Sequence, residues 1–414
     1  MTSVDAKQAI SFVFHNTSGI GPQTPSFHPT YTHYFFGDNE TINDVNSSEI
    51  VIHIKDDTFE TMIEGITKPA SESSIDPVDT IISSLSPCTF APFKDTPRGW
   101  TPPGNLVLQY NPPMSFAGNR SPISSSSEDT TVVYEIYHES LANHRMRLYH
   151  HQLQIMPFFF IDTASFIDPC SRDSVEKDTS TPDTQWEIFI IFQKTTRREI
   201  THYSIVGYTT VYRFFRFPDN YRFRISQFLI FEPYHRQGHG TFLLASVYKK
   251  ALSSGVIDTT LELQSPDFKI MRTVTDIMLL SKLGVLTSKP IPFAKPSDPV
   301  ETAYSLPSIL PFSPDLLESA QKIVPLSTNQ LKHCYNIIRM ICLPGDAKSE
   351  EEFRKDIKRH LLRTHEEELV GLAQEERISK LSLLYQMTLA EYKLVLASFK
   401  KHMDLLSCES FGSF

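Results

Sequence analysis

The sequence predicts an α+β protein in three parts: an N-terminal α+β module over residues 1–130, a mixed central sheet with flanking helices over 131–295, and a C-terminal helical domain over 296–414. Three observations predict it. Residues 224–252 read as an apolar strand, a glycine-punctuated turn and an amphipathic helix in direct succession. Strand-like segments dominate the middle of the chain. Beyond about residue 313 the pattern changes to capped, charge-rich helix.

The strand–turn–helix unit carries the first functional expectation. Ile225 to Phe231 is apolar and β-prone enough for a buried strand, and Pro233 ends it by withholding a ladder donor. Gly238 and Gly240 lack a Cβ, so an anion can approach their amides and the backbone can take positive φ. From Thr241 onward, Leu244, Val247, Tyr248 and Ala251 recur at three- and four-residue steps, the mark of one packed helical face. A bare Gly-x-Gly most often marks an ordinary tight turn. With a strand before it and a helix N-terminus after it, the turn becomes a place for a pyrophosphate, which suits an acyl-CoA.

The other elements follow in order. Residues up to 130 mix strand-like runs, Glu49 to Ile54 and Asn105 to Tyr110, with Pro- and Ser-rich connections, and Ser121 to Ser127 is polar enough for a mobile loop. In the middle, strands are expected at Val132 to Tyr137, Trp186 to Phe192, Ile205 to Phe215, Arg224 to Phe231 and Thr259 to Leu263. Helices are expected at His150 to Phe160, after Gly240 and after Pro266, with Asp168 to Gln185 as an exposed insertion. In the last part Ser313-Pro314 offers an N-cap with proline at N1, and Ser327 to Gln330 has the capping-box form. The helix it opens repeats Leu331, Cys334, Ile338 and Ile341, and the charge alternation of Glu351 to Arg359 reads as a solvated helix face.

Composition narrows the function. At 414 residues, 40% apolar and 11% aromatic, the chain has material for two or three real cores. A net charge of −9 argues against general nucleic-acid binding; it suits a positively charged protein or peptide substrate and equally a mild acidity that only confers solubility. Cys88, Cys170, Cys334, Cys342 and Cys408 are odd in number and show no Cys-x-x-Cys spacing, so neither a disulfide framework nor a zinc site is expected. The opening residues lead into no signal-type apolar run, and no stretch reaches membrane-spanning length, so an intracellular protein without a membrane segment is expected. The adjacent His150 and His151 do not face one way and have no acidic or cysteine partner at ligand spacing, so no metal is expected. The aromatic run Phe158 to Phe160 reads as core, and Arg213, Arg216, Arg222 and Arg224 as surface solvation.

Several stretches, in order along the chain, together resemble one family: Phe27-His28-Pro29 with His33 and Phe36-Gly37; Phe160 to Asp168; Trp186; Val206-Gly207-Tyr208 with Thr210-Val211-Tyr212; Arg224 with Ser226-Gln227; Gln237 to Gly240; and Asp356 to Arg359. The chain is similar to the type B histone acetyltransferase catalytic subunits of the GNAT superfamily. The resemblance implies a GNAT-type mixed sheet with a splayed strand pair that admits a pantetheine arm. It implies that Phe228, Leu229, Ile230 and Phe231 meet the pantetheine and acetyl group mainly through backbone groups, and that Arg236, Gln237, Gly238, His239, Gly240 and Thr241 hold the pyrophosphate of acetyl-CoA. It further implies transfer to lysines in the N-terminal tail of new histone H4, a WD-repeat histone chaperone as partner, no direct contact with nucleic acid or membrane, and residence in cytoplasm and nucleus. Tyr208 and Tyr212 would line a lysine tunnel.

A lysine ammonium is almost wholly charged at neutral pH, so freeing the amine costs about 4 to 5 kcal/mol, and a carboxylate base helps. By the resemblance that work falls to an acidic cluster, of which this chain retains Asp162 and replaces a Glu-Asp pair by Gln264 and Ser265. An amide takes no proton at neutral pH. Glu262, two residues earlier on the same strand face as Gln264, is a base acting through water; Asp162 is a direct base or a structural hydrogen-bond anchor. Asp267 reads as a helix N-terminal acid, and His235 stands where acetyltransferases place Gln or Arg. The alternatives are a catalytically weak relative serving as a histone-binding assembly factor, and an N-acetyltransferase of non-histone amines.

Overall fold

The structure, a computed structural model, describes residues 3–20, 23–69, 75–86, 88–97, 99–112, 130–167, 185–261, 265–282, 313–322, 324–343 and 346–406. Two compact units divide the chain: Met1–Phe214 with Arg224–His239, and Phe215–Phe223 with Gly240–Phe414. The segments 121–127 and 168–184, expected as a loop and an insertion, lie outside the described residues.

The first unit opens with β1 (Ser3–Asp5), which pairs antiparallel with β3 (Thr41–Asn43). Between them α1 (Ala6–Ala9) is capped by Asp5, whose carboxylate accepts from the Lys7 amide. β2 (Ile10–His15) runs parallel to β4 (Val45–Lys55), and β4 pairs antiparallel with β5 (Thr61–Pro69), giving a mixed three-stranded sheet. Helices α2 (His33–Phe36) and α3 (Pro77–Ser84) accompany it. The larger sheet of this unit orders β10 (Asn220–Ile230), β9 (Ile200–Arg216), β8 (Trp186–Arg197), β7 (Thr130–Ser140) and β6 (Asn105–Tyr110). In β8, Glu187 to Phe192 is buried without a break, as expected of a strand covered on both faces.

Among the described residues two helices lie between β7 and β8, where one was expected over His150 to Phe160. α4 (His144–Leu153) starts earlier because Asn143 caps it, accepting from the amides of Arg145 and Met146. Pro157 cannot donate inside a helix and opens α5 (Pro157–Phe160) instead. The aromatic run is core: Phe159 is fully buried, 5.1 Å from Phe12 and 4.6 Å from Phe35 between ring centroids. The Phe159 carbonyl accepts from the amides of Thr30 and Tyr31, which fixes the approach to α2.

In the second unit, β11 (Val256–Leu261) lies beside the opening residues of β10, and Thr260 donates to the Phe223 carbonyl at 3.3 Å. Helices α6 (His239–Ser253), α7 (Pro266–Lys282), α8 (Pro314–Gln321), α9 (Thr328–Ile341), α10 (Ala347–Thr364), α11 (Glu366–Leu369) and α12 (Gln374–Leu406) complete it. Ser313 and Ser327 cap α8 and α9 as expected. The capping box is only half formed, because the Gln330 side chain turns to the buried Asp276 at 2.7 Å, which also accepts from Tyr248 at 2.8 Å. Burial of Asp276 sets a higher premium on those donors than the exposed end of α9 does. Among the described residues no helix is long and apolar enough to cross a membrane.

Candidate active site

The strand–turn–helix unit begins at a notch in β9. Ile191 pairs with Gly207 and Phe192 with Ile205, leaving Val206 as a bulge residue whose carbonyl accepts from the Phe231 amide at 2.9 Å. A Cβ on Gly207 would collide with the Leu229 carbonyl oxygen and lie 2.8 Å from the Ile230 Cα. Only glycine lets the end of β10 seat this closely. Phe228, Leu229 and Ile230 are half-buried there, while the Phe231 ring is core, 5.3 Å from Phe14 and 5.8 Å from Phe59.

After β10 the chain makes a single 3-10 turn over Glu232–Tyr234 and bends back on itself. The His235 Nε2 donates to the Ile230 carbonyl at 2.6 Å, and the Gln237 amide side chain donates to the Pro233 carbonyl at 3.0 Å. Arg236 and Gly238 take positive φ of 62° and 83°, so the turn uses the left-handed region twice, once without a glycine. Among the described residues the backbone amides of Gln237 and Gly238 make no hydrogen bond. His239 and Thr241 are buried, and His239 begins α6.

His239 anchors this turn to the sheet. Its Nδ1 lies 2.8 Å from the Tyr110 hydroxyl at the end of β6, and its ring sits 4.5 Å from that of Tyr134. Burial pushes its pKa down to about 3, so the imidazole is neutral at physiological pH.

A second constellation surrounds Asp162, in the turn after α5. Asp162 and Thr163 are exposed, and the Tyr34 hydroxyl lies 2.8 Å from the Ala164 carbonyl and 3.1 Å from that of Asp162, tying the turn to α2. A cavity of about 750 Å³ opens here, lined by Lys7, Tyr31, Tyr34, Asp38, Glu40 and Asp162 among others. Of the three carboxylates that line it among the described residues, Glu40 is the engaged one: it pairs with Lys7 and accepts the Thr32 amide at 2.8 Å. Partial burial raises the Glu40 pKa, but Lys7 and the Thr32 amide outweigh it and the net shift is downward. Asp38 and Asp162 form no ion pair among the described residues. Asp162 is therefore placed as an exposed group, without the side-chain bonds to Thr163 or Ser165 that an anchor would make.

The remaining expected residues are distributed as follows. Glu262 and Gln264 lie outside the described residues. Ser265 accepts from the Phe268 amide at 3.3 Å, an N-cap of α7, and Asp267 stands in that helix's first turn. Tyr208 is fully buried, with a hydroxyl lacking a partner among the described residues, and Tyr212 packs edge-on to Trp186 at 4.9 Å. Arg222 forks onto Asp258, Arg213 bonds Gln185 and Arg224 covers the Phe214 ring, so the basic cluster is largely engaged. His150 is buried and neutral, its pKa pushed down to about 3. Among the described residues no group of three or more His, Cys, Asp or Glu side chains could hold a metal ion.

Sequence reasoning singled out neither the Lys7–Glu40 pair nor the Tyr110–His239 bond. For the first, a signal was present: Asp38 and Glu40 directly follow the Phe36-Gly37 stretch already noted.

Comparison with known proteins supplies the remaining observation. Residues 2–162 match the family model described as "Histone acetyl transferase HAT1 N-terminus". The chain is 27% identical over 362 residues to the histone acetyltransferase type B catalytic subunit of Rattus norvegicus, covering 84% of this chain and 77% of that protein. It is 26% identical over 362 residues to the protein of the same name from Homo sapiens, with the same coverage of 84% and 77%. Against the one from Mycosarcoma maydis it is 24% identical over 400 residues, 91% of this chain and 84% of that protein. Among solved structures, an aminoglycoside acetyltransferase from an uncultured soil metagenomic sample matches at 12% identity and a TM-score of 0.21, covering 42% of this chain and 96% of that one.

Proposed function

We propose that this chain, which is similar to the type B histone acetyltransferase catalytic subunits over most of its length, transfers acetyl from acetyl-CoA to lysines in the N-terminal tail of free histone H4, by direct attack of the lysine amine. The observation that carries the substrate reading is the cavity that brings Asp38, Glu40 and Asp162 together beside the rings of Tyr31 and Tyr34. Carboxylates and aryl faces are the groups that hold ammonium side chains.

The residues divide the work. The amides of Gln237 and Gly238, with the N-terminus of α6, take the pyrophosphate of acetyl-CoA. Backbone groups of Phe228 to Phe231 lie along the pantetheine arm, which the Gly207 notch positions. Asp162 steadies the incoming ammonium and takes one proton from it; the freed amine then bonds to the thioester carbonyl, the C–S bond breaks, and CoA leaves as the thiol with the second proton the nitrogen gives up. Glu262 is the second candidate, acting through water. A WD-repeat histone chaperone is the proposed partner, and cytoplasm and nucleus the proposed compartments; both rest on the resemblance of the sequence motifs.

A second reading has one observation in its favour. Ser265 stands where the family carries an acid and is occupied as the N-cap of α7. On that reading the chain is a weak catalyst that serves histone assembly. Steady-state turnover with an H4 tail peptide, spermidine and an unrelated lysine peptide distinguishes these readings. The proposal expects clear preference for the H4 peptide; equal rates on all three amines, or acetyl-CoA binding without turnover, would overturn it.

A further inference from the structure

We infer that Lys7 is a resident competitor for the substrate's cation and sets how many basic side chains the acid-lined cavity accepts. The inference rests on reading that cavity as the peptide site. The Lys7 ammonium pairs with the Glu40 carboxylate and stands 6.0 Å from the centroid of the Tyr31 ring, with its side chain 35% exposed. A carboxylate on one side and an aryl face on the other is how a substrate lysine would be held. One of the cavity's three carboxylates is thus already occupied by the chain's own lysine.

The backbone delivers Lys7 there. The Ala6 amide donates to the Glu40 carbonyl at 3.0 Å, and the Asp5 carboxylate accepts the Lys7 amide at 2.9 Å. His28 Nδ1 stands 3.1 Å from the Lys7 carbonyl on the other side. With its main chain pinned, the side chain loses little freedom in reaching Glu40. His33, 3.8 Å from Glu40, is the other basic group at this carboxylate. Asp38 and Asp162 stay available to an incoming peptide. A polybasic peptide must therefore displace Lys7 or use those two acids alone.

Lys7→Met tests this, since it removes the charge and keeps the stem. Releasing Glu40 from this half-buried ion pair is expected to lower the KM for an H4 tail peptide about two- to five-fold relative to the KM for acetyl-CoA. The difference shrinks in 0.5 M salt, and Lys7→Arg behaves as the unaltered protein. A purely structural lysine gives another pattern: a lower melting temperature with the peptide KM unchanged or raised, which overturns the inference. Asp38→Asn separates the two levels. If it raises the peptide KM while Lys7→Met fails to lower it, the competitor role alone falls. If Asp38→Asn and Lys7→Met both leave the peptide KM unchanged, the cavity is not the peptide site and both readings fall.

Discussion

Tyr110→Phe removes one oxygen from a pair of buried rings and leaves the packing volume almost intact. In the native protein the Tyr110 hydroxyl lies 2.8 Å from His239 Nδ1, and the two residues are 2% and 1% exposed. Nε2 of His239 already lacks a partner among the described residues, so the variant leaves both ring nitrogens unsatisfied. An orphaned buried polar group costs about 1 to 3 kcal/mol. The same histidine makes stability depend on pH. Its native pKa is near 3, against 6.5 in the unfolded chain, so between those values only the unfolded state binds the proton. Stability from this site is complete above pH 6.5 and is lost as pH falls through the window, by about 2 kcal/mol at pH 5. His150, also shifted to about 3, adds a similar loss. Urea unfolding at pH 7.5 and pH 5 measures both effects. Tyr110→Phe should lower stability at both pH values by a similar amount, while His239→Phe should remove about half of the acid loss these two sites contribute. Because His239 starts the helix after the turn proposed to hold the pyrophosphate, Tyr110→Phe should also weaken acetyl-CoA binding. A Tyr110→Phe variant within 0.3 kcal/mol of the parent, or an unchanged acid loss in His239→Phe, would refute the reasoning.

The other expectations can be tested by similar means. Gly207→Ala drives a methyl into the Leu229 carbonyl, so stability should fall by about 1 to 3 kcal/mol and the KM for acetyl-CoA should rise more than that for peptide; equal changes in both would show that the notch does not position β10 for the cofactor. Restoring acids with Gln264→Glu and Ser265→Asp should raise turnover, since Asp also caps helices and α7 keeps its start; no gain would show that the missing pair does not limit the rate.

Much of the fold was legible because its signals are local. β6 spans Asn105–Tyr110 as its apolar run indicated, and Ser313 and Ser327 cap their helices through bonds to residues three positions on. Where the expectation went astray, a local signal had been outweighed: Asn143 caps α4 six residues before the expected start, and Pro157 splits what periodicity joined. The strand, turn and helix over residues 224–253 were legible because glycine spacing, a strand end and a helix start are contiguous in sequence. The support beneath it was not. His239 meets Tyr110 across 129 residues, and the second structural use of Gln330, its bond to Asp276, spans 54. No periodicity encodes such pairs. Asp162 shows the same limit, for its neighbours Thr163 and Ser165 suggested burial, whereas the turn that Tyr34 holds leaves it exposed.

The central claim is acetyl transfer to the H4 tail with Asp162 taking part. Mass spectrometry of an H4 tail peptide, after incubation with isotopically labelled acetyl-CoA and either the parent protein or Asp162→Asn, tests it most directly. The account predicts labelled lysine with the parent and turnover reduced about 10²-fold or more in the variant, at unchanged acetyl-CoA affinity. Unlabelled peptide from a parent protein that binds acetyl-CoA, or equal labelling by both proteins, would contradict it.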